Sequence, residues 1–282
     1  MWTRVKIFLR LIKFEHTVFA LPFAYLGMIL ARKSLPSPGV FFWVTAAMGG
    51  ARTAGMLLNR IIDRPIDAKN PRTQDRPTVT GEFSLRNAWL ATGAALLVFF
   101  ISVKMLNDLC FKLSFVALFL LTTYHTVKRF SFLCHFALGL VLAAAPLGGW
   151  IAVTGHFAWT PVILSLAVLF WVAGFDVIYS LQDVDFDRMH GLHSIPARFG
   201  EKAALRVSEY SHLATVFFLA LFGCVAGLGV LYWAGVLAVA ILLKAEHLLV
   251  PEDNFSRIHT AFFTINGWIG ILLLIFTFLE IY

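Results

Sequence analysis

The sequence predicts an all-α, multi-pass membrane protein with nine transmembrane helices and a cytoplasmic N-terminus. Of its 282 residues, 59% are hydrophobic and only 14% are charged, whereas soluble domains carry about 25% charged residues. The mean hydropathy is +0.80. The apolar residues form long runs, and most Lys and Arg residues stand between those runs. This pattern excludes a soluble globule, a disordered chain, a disulfide-rich secreted domain and a simple nucleotide-binding α/β domain.

Nine apolar runs are long enough to cross a bilayer, whose core of about 30 Å takes about 20 helical residues. The first six lie near 16–31, 39–58, 87–106, 111–127, 133–153 and 159–182. The stretch 210–243 is apolar for 34 residues and would be about 51 Å long as one helix. We therefore expect it to fold back at Gly227 and Gly229. The ninth run covers 258–278.

The distribution of Lys and Arg predicts the orientation of these spans. With the N-terminus inside, the cytoplasmic segments hold 19 of the 23 basic residues, as the positive-inside rule requires. Two cytoplasmic loops dominate, at 61–86 and 182–206. Topology thus accounts for the net charge of +7, and no nucleic-acid partner is expected. We predict a protein of the cell inner (plasma) membrane.

The acidic residues concentrate at the cytoplasmic ends of the second and sixth predicted spans. The first motif comprises Asn59, Asp63 and Asp67, and the second comprises Asp176, Tyr179, Asp183 and Asp187. Side chains four residues apart share one face of a helix, so each motif is expected to align its polar groups. Pro65 disfavours helical backbone at the residue before it, and we expect Asp67 to begin a new turn.

The chemistry of these residues points to a metal and a phosphate. Neighbouring carboxylates repel unless a cation lies between them, and ligand sets made only of oxygen favour Mg²⁺, which also takes substrate phosphate oxygens and water. Cations share the two loops, which suits a diphosphate; they are Arg72, Arg76, Arg198 and Lys202. Two alternatives remain open. The positive-inside rule alone would place these basic residues in the cytoplasmic loops, and the aspartates would then be solvated carboxylates at helix ends.

The two motifs repeat along the chain. Asp183 follows Asp63, and Asp187 follows Asp67, by the same 120-residue interval. Four predicted helices separate the equivalent positions, and an even number gives a parallel repeat, unlike the inverted repeats of many transporters. We infer an internal duplication that presents two acidic motifs to one cavity.

At these motifs the sequence resembles the UbiA superfamily of intramembrane aromatic prenyltransferases. The resemblance covers nearly the whole chain and includes both acidic motifs, Leu21-Pro22-Phe23-Ala24, the loop from Asn70 to Pro77 with Gly81, and the segment from Gly191 to Gly200. It implies a single domain over residues 1–282, a nine-helix bundle around a central cavity, and a site that faces the cytoplasm. It also implies a polyprenyl diphosphate donor and a small aromatic acceptor, usually 4-hydroxybenzoate, with a dihydroxynaphthoate of menaquinone biosynthesis as the alternative.

The resemblance also implies roles for individual residues. Asp63 and Asp67 would hold one Mg²⁺, and Asp183 and Asp187 a second. The other candidates would assist the metals (Asn59, Asp176), bind diphosphate (Arg72, Arg76, Arg198, Lys202), or steady the cation and orient the acceptor (Tyr179). His193 stands where many relatives carry Lys, and whether it helps to bind diphosphate stays open. A cation-coupled carrier is the alternative from another class, although carriers tend to place their acids near the bilayer midplane.

Overall fold

The structure, a computed structural model, describes residues 2–13, 17–251, 255 and 257–282, and contains no β-strand among them. Its α-helices are α1 (Trp2–Ile12), α2 (Thr17–Arg32), α3 (Pro38–Ile62), α4 (Arg64–Asp67), α5 (Pro77–Thr80), α6 (Leu85–Leu106), α7 (Asp108–Val127), α8 (Cys134–Thr154), α9 (Thr160–Ser180), α10 (Val184–Met189), α11 (Ile195–Phe199), α12 (Glu201–Ala226), α13 (Val230–Leu249), α14 (Ile258–Thr260) and α15 (Asn266–Ile281). A 3₁₀ turn at Leu181–Asp183 links α9 to α10, and a π-helical turn at Ala261–Ile265 links α14 to α15. The predicted all-α membrane fold is confirmed.

Seven helical segments in the described part of the chain are long and apolar enough to cross a membrane. They are α6, α7, α8, α9 continued to Met189, α12, α13, and the segment from α14 through α15. The predicted runs near 16–31 and 39–58 fall on α2 and α3. Residue 16 lies outside the described residues, and α2 is the shorter apolar helix of the two. Nine spans and a cytoplasmic N-terminus therefore remain predictions.

The long apolar stretch folds back where the sequence predicts. Gly227 ends α12 with a φ of 61°, a left-handed conformation that glycine adopts without strain, and α13 begins at Val230. The carboxylate of Glu280 on α15 accepts hydrogen bonds from the N–H groups of Gly229 (3.0 Å) and Leu231 (2.8 Å). This contact satisfies N–H groups at the start of α13 that lack partners within the helix.

The start predicted for this stretch was wrong. We expected the helix at residue 210, but α12 begins at Glu201. Its first turns carry charged residues on exposed positions, including Lys202, so a criterion of continuous hydrophobicity missed them. The predicted loop 182–206 is accordingly mostly helical, with α10, α11 and the first turn of α12.

The chain divides into two compact units, residues 1–17 with 38–126 and residues 18–37 with 127–282. Each unit contains one acidic motif. In the first unit, α3 packs closely on α6, and a Cβ at Gly50 would lie 2.8 Å from the carbonyl oxygen of Ala95. Helix α1 packs on α3 through the buried side chains of Leu11, Ile12 and Leu57. The prediction of a single domain over residues 1–282 is not tested by this division.

The second unit is built around α9, which packs between α8 and α12. Trp171 and Phe175 of α9 are buried in the largest hydrophobic cluster. A Cβ at Gly139 of α8 would lie 2.4 Å from the carbonyl oxygen of Leu169, so the two backbones approach as closely as glycine allows. The same helix ends at the second acidic motif, and its rigid packing therefore positions that motif.

Candidate active site

The first acidic motif lies at a break between two helices. Helix α3 ends at Ile62, Asp63 precedes α4, and Pro65 occupies the first turn of α4, where its missing N–H costs no hydrogen bond. The backbone N–H of Asp67 donates to the carbonyl oxygen of Asp63 at 2.8 Å. The predicted break at Pro65 is confirmed, but the prediction that Asp67 begins the new turn was wrong: the turn begins at Arg64, because a proline fits the first turn of a helix, and Asp67 is its last residue. Both aspartates are buried, at 5% and 6% exposure.

Each buried carboxylate of the first motif accepts a hydrogen bond from a predicted site residue. Asn59 Nδ2 donates to Asp63 Oδ2 at 2.9 Å. Arg76 Nη1 donates to Asp67 Oδ2 at 2.5 Å and forms a salt bridge with it. These contacts fix the orientation of both carboxylates, and an oriented carboxylate is a typical metal ligand.

The loop that follows holds its basic residues in two different ways. The backbone N–H of Arg72 donates to Oδ1 of the buried Asn70 at 2.9 Å, while the Arg72 side chain is exposed. The hydroxyl of the buried Thr73 donates to the carbonyl oxygen of Asp67 at 3.1 Å. Arg76 therefore lies at the Asp67 carboxylate, while the exposed Arg72 belongs to a loop that these two contacts order.

The second acidic motif is not one continuous helix face. The 3₁₀ turn at Leu181–Asp183 has three residues per turn, so it shifts the register between Tyr179 and Asp183. The predicted common face for this motif was wrong, because the four-residue spacing was assumed to stay α-helical. Asp187, on α10, is 4% exposed, while Asp183 is half-buried.

Asp187 has one carboxylate oxygen without a partner. Its Oδ1 is buried and accepts no hydrogen bond from the part of the chain that the structure describes. A buried carboxylate oxygen left unpaired costs free energy, and a bound cation would remove that cost. This atom is the clearest sign of a ligand position at the second motif.

Asp176 is held by a histidine that the sequence analysis did not select. His135 Nδ1 lies 2.7 Å from Asp176 Oδ2, and His135 Nε2 accepts the backbone N–H of Ile195 at 3.3 Å. Because Nε2 accepts, Nδ1 carries the proton and donates to the carboxylate. His135 is buried and thereby ties α8, α9 and the start of α11 together. The sequence shows His135 near the start of a predicted span, but it does not show the contact with Asp176.

Tyr179 belongs to an aromatic group at the end of α9. Its ring centroid lies 4.4 Å from that of Phe262, in the π-helical turn, and Phe262 also packs on Phe175 and Phe19. π-Helical turns within α-helices are frequent at functional sites. Tyr179 is half-buried, so its ring is partly covered on the side of Phe262.

A cavity of about 340 Å³ lies beside the second motif. Its lining includes Asp187, Arg188, His193 and Arg198. The Arg198 guanidinium stacks on the ring of Phe132, 4.9 Å from its centroid, which restrains its position. Lys202 is exposed on the first turn of α12 and is not among the residues that line this cavity.

The backbone of His193 is anchored to the preceding helical hairpin. Its N–H donates to the carbonyl oxygen of Lys128 at 2.7 Å, and its own carbonyl oxygen accepts from Cys134 Sγ at 3.4 Å. His193 is one of the residues that line the cavity, together with Asp187 and Arg198. His193 is therefore placed by its backbone, whatever its side chain binds.

Sequence reasoning also missed a buried cation in the first motif. Arg60 is 6% exposed, and its Nη1 donates to Asn59 Oδ1 at 2.8 Å. The positive-inside rule accounted for its charge without a specific role. Its burial beside Asn59 was the feature that sequence alone did not reveal.

The residues of each motif fit a partial Mg²⁺ site. Over the residues that the structure describes, no group of three or more His, Cys, Asp or Glu side chains is placed to hold a metal. Mg²⁺ usually takes one or two carboxylates and completes its shell with phosphate oxygens and water. Two carboxylates per motif and the unpaired Oδ1 of Asp187 are consistent with that mode.

Comparison with known proteins identifies the family. The model of the UbiA prenyltransferase family matches residues 20–268. A 4-hydroxybenzoate octaprenyltransferase of Francisella tularensis subsp. novicida (strain U112) is 29% identical over 90% of this chain and 89% of its own length. The apo structure of a UbiA homologue from Aeropyrum pernix K1 is 37% identical with a TM-score of 0.84, and the match covers 92% of this chain and 95% of that one.

A third relative shows the same fold at lower identity. A UbiA homologue from Archaeoglobus fulgidus, solved with DMAPP and Mg²⁺, matches 97% of this chain and 98% of its own with a TM-score of 0.73 and 19% identity. The family match covers far more than half of the described helices, and both acidic motifs lie within it. The chain therefore belongs to the UbiA prenyltransferase family, and the prediction that it is a membrane prenyltransferase is confirmed.

Proposed function

We propose that this protein transfers a polyprenyl group from a polyprenyl diphosphate to an aromatic acceptor, and that the acceptor is 4-hydroxybenzoate. The observation that carries the proposal is the pair of buried carboxylates at the first motif together with the unpaired Oδ1 of Asp187 at the second. Family membership and the name of the Francisella relative support the same reaction.

Magnesium ions are held by the two acidic motifs in this proposal. Asp63 and Asp67 ligate one ion, and Asp183 and Asp187 ligate the other. The bound ions neutralise the negative charge that develops on the departing diphosphate. The Archaeoglobus relative was solved with Mg²⁺, and the oxygen-only ligand set suits the same metal here.

The remaining polar residues assist these four. The Asn59 amide donates to Asp63, and the Asp176 carboxylate accepts from His135. Asn59 and Asp176 therefore each orient a neighbouring side chain. Four basic residues bind the diphosphate in this proposal: Arg72, Arg76, Arg198 and Lys202. The role is best supported for Arg76, because its guanidinium forms a salt bridge with Asp67 at the first motif.

The reaction breaks the bond between the first carbon of the prenyl chain and the diphosphate oxygen. The electron pair leaves with the diphosphate, a ring carbon of the acceptor forms the new carbon–carbon bond, and the ring proton is lost. Exclusion of water prevents capture of the allylic cation as an alcohol. We assign Tyr179 to this step, since an aromatic face stabilises a nearby cation.

The acceptor distinguishes two versions of this proposal. A carboxylated phenol such as 4-hydroxybenzoate requires a cation, and Lys128 and Arg129 follow α7, where the carbonyl oxygen of Lys128 accepts the backbone N–H of His193 at 2.7 Å. A dihydroxynaphthoate would place the enzyme in menaquinone biosynthesis instead. We further propose that the site faces the cytoplasm and that the chain resides in the inner membrane.

The proposal is tested with purified protein in detergent. Geranyl diphosphate and longer polyprenyl diphosphates are each supplied with 4-hydroxybenzoate or dihydroxynaphthoates, and products are identified by mass spectrometry. We expect Mg²⁺-dependent release of pyrophosphate with 4-hydroxybenzoate, and loss of turnover in folded Asp183→Asn. Product with a dihydroxynaphthoate alone would reassign the acceptor. The absence of pyrophosphate with every acceptor would contradict the proposal and favour a carrier.

A further inference from the structure

Arg60 connects three parts of the first compact unit. Its guanidinium donates from Nη1 to Asn59 Oδ1 at 2.8 Å and from Nε to the carbonyl oxygen of Leu11 at 3.3 Å. Asn59 in turn donates from Nδ2 to Asp63 Oδ2 at 2.9 Å. A chain of hydrogen bonds thus runs from the end of α1 through Arg60 and Asn59 to a predicted metal ligand.

Arg60 determines which way the Asn59 amide points. A guanidinium has only donors, so the atom of Asn59 that faces it must be the acceptor, Oδ1. The amide nitrogen then faces Asp63, where it donates to a carboxylate oxygen. If Arg60 did not hold Oδ1, the amide could rotate and present an oxygen to the carboxylate, which would repel it.

Helix α1 holds Arg60 in turn. The carbonyl of Leu11 belongs to the last turn of α1 and has no partner within the helix. Arg52, one of two α3 arginines at this end, donates from Nη2 to the carbonyl oxygen of Lys13 at 3.0 Å. Arg52 and Arg60 therefore both donate to backbone carbonyls at this end of α1, and Arg60 also donates to Asn59 Oδ1.

We propose that Arg60 is a positioning residue that holds the Asn59 amide against Asp63 and so orients Asp63 for the metal and the diphosphate. This inference rests on the proposed function. It gives Asn59 an orienting role, because its Oδ1 is bonded to Arg60 and its Nδ2 to Asp63. Groups that orient metal ligands typically contribute 10- to 100-fold to metal affinity, about the size of effect expected here.

The test keeps the charge and changes the geometry. Arg60→Lys retains a cation, but an ammonium cannot reproduce the planar fork that reaches both acceptors. Mn²⁺ serves as the probe, and its binding to the full-length protein with geranyl diphosphate is measured by electron paramagnetic resonance. We expect Arg60→Lys to weaken Mn²⁺ binding about 10-fold. Arg52→Lys, which alters the same helix cap, is the matched control and is expected to bind as the wild type does.

A double-mutant cycle shows whether Arg60 acts through Asn59. If it does, Arg60→Lys adds no further loss of Mn²⁺ affinity to Asn59→Ala. Additive losses, or equal losses in Arg60→Lys and Arg52→Lys, would overturn the inference. If Arg60→Lys does not fold, Arg60→Gln and Arg60→Met replace it. The glutamine side chain keeps a donor for Asn59 and the methionine side chain does not. The Arg60→Gln protein must then bind Mn²⁺ more tightly than the Arg60→Met protein.

The outcomes separate this inference from the proposed function. A wild-type protein that binds no Mn²⁺ with geranyl diphosphate would overturn both. A wild-type protein that binds Mn²⁺ and transfers the prenyl group, with Arg60→Lys unchanged in Mn²⁺ affinity, would overturn the role of Arg60 alone.

Discussion

Among the individual acids, Asp187 differs from its neighbours by a buried oxygen with no hydrogen-bond partner in the described chain. The other three carboxylates each accept a hydrogen bond from a side chain: Asp63 from Asn59, Asp67 from Arg76 and Asp176 from His135. An unpaired buried carboxylate oxygen destabilises the protein unless a ligand compensates. Asp187 therefore lowers the stability of the metal-free protein and, in the proposed function, ligates a metal ion.

We predict that Asp187→Asn lowers kcat about 100-fold or more and does not lower the stability of the metal-free protein. The amide removes a charge that the metal requires, and it also removes the buried charge from the apo state. Turnover is measured by pyrophosphate release and stability by thermal unfolding. Asp185→Asn, two residues away on the exposed side of α10, is the control and should retain turnover. Full activity in Asp187→Asn would remove this residue from the metal site.

His135 illustrates what the sequence could and could not predict at this scale. The aspartate spacing was visible in the sequence, and their burial agrees with a specialised site. The contact between His135 and Asp176 joins residues 41 positions apart, and no local pattern encodes it. The same holds for Arg60 and the carbonyl of Leu11, which are 49 positions apart.

We predict that His135→Ala lowers the free energy of unfolding by about 2 kcal/mol, since it leaves the Ile195 N–H and a carboxylate oxygen without their partner. Denaturant unfolding in detergent measures the change. His156→Ala, at an exposed histidine after α8, provides the comparison and should change stability little. Equal stability of the two variants would show that the His135 contacts contribute nothing.

Among the helices, close packing depends on glycines that the hydrophobic pattern does not distinguish. Gly148 and Gly149 are adjacent in α8, yet they differ in surroundings. A Cβ at Gly149 would lie 2.1 Å from the carbonyl oxygen of Ala24 on α2, whereas a Cβ at Gly148 would meet nothing within 4 Å. Small residues at one helix face permit such close approach in membrane bundles.

Gly149→Ala should destabilise the protein by about 1–3 kcal/mol, because the methyl group collides with a backbone that cannot move locally. Gly148→Ala should be neutral or stabilising, since alanine favours helix by about 1 kcal/mol over glycine. Thermal unfolding of the two variants side by side measures the difference. A stable Gly149→Ala would mean that α2 and α8 are farther apart than the structure indicates.

The element boundaries show the same division between local and distant information. Pro65 and Gly227 are local signals, and both predicted breaks are confirmed. The 3₁₀ turn before α10 was not predicted, because no helix breaker marks it. The start of α12 directly follows Gly200, but it was missed because the first turns of the helix are not continuously hydrophobic. Charged residues on an exposed helix face resemble a loop in composition.

For the whole molecule, the internal repeat predicts that both motifs act on one diphosphate. The repeat was visible as two equal intervals along the chain, and the fold class was visible in the composition. The number of spans and their orientation depend on the membrane, which hydrophobicity describes only through length and charge.

We predict that Asp63→Asn and Asp183→Asn are strongly non-additive in the binding of geranyl diphosphate with Mg²⁺. If the two motifs hold one diphosphate, each through its own metal ion, damage to either motif should lose most of the affinity, and the double variant should bind little worse than each single one. Isothermal titration calorimetry measures the affinities. Strictly additive losses would indicate two independent sites and contradict a shared diphosphate.

The hydrogen bonds between Glu280 and the start of α13 have a consequence for biogenesis. The acceptor lies 51 positions beyond Gly229, so the N–H groups at the start of α13 are synthesised before the carboxylate that accepts their hydrogen bonds. Until then, the amides at the turn need water or lipid headgroups as temporary acceptors. The start of α13 therefore gains its carboxylate partner only when α15 packs against it.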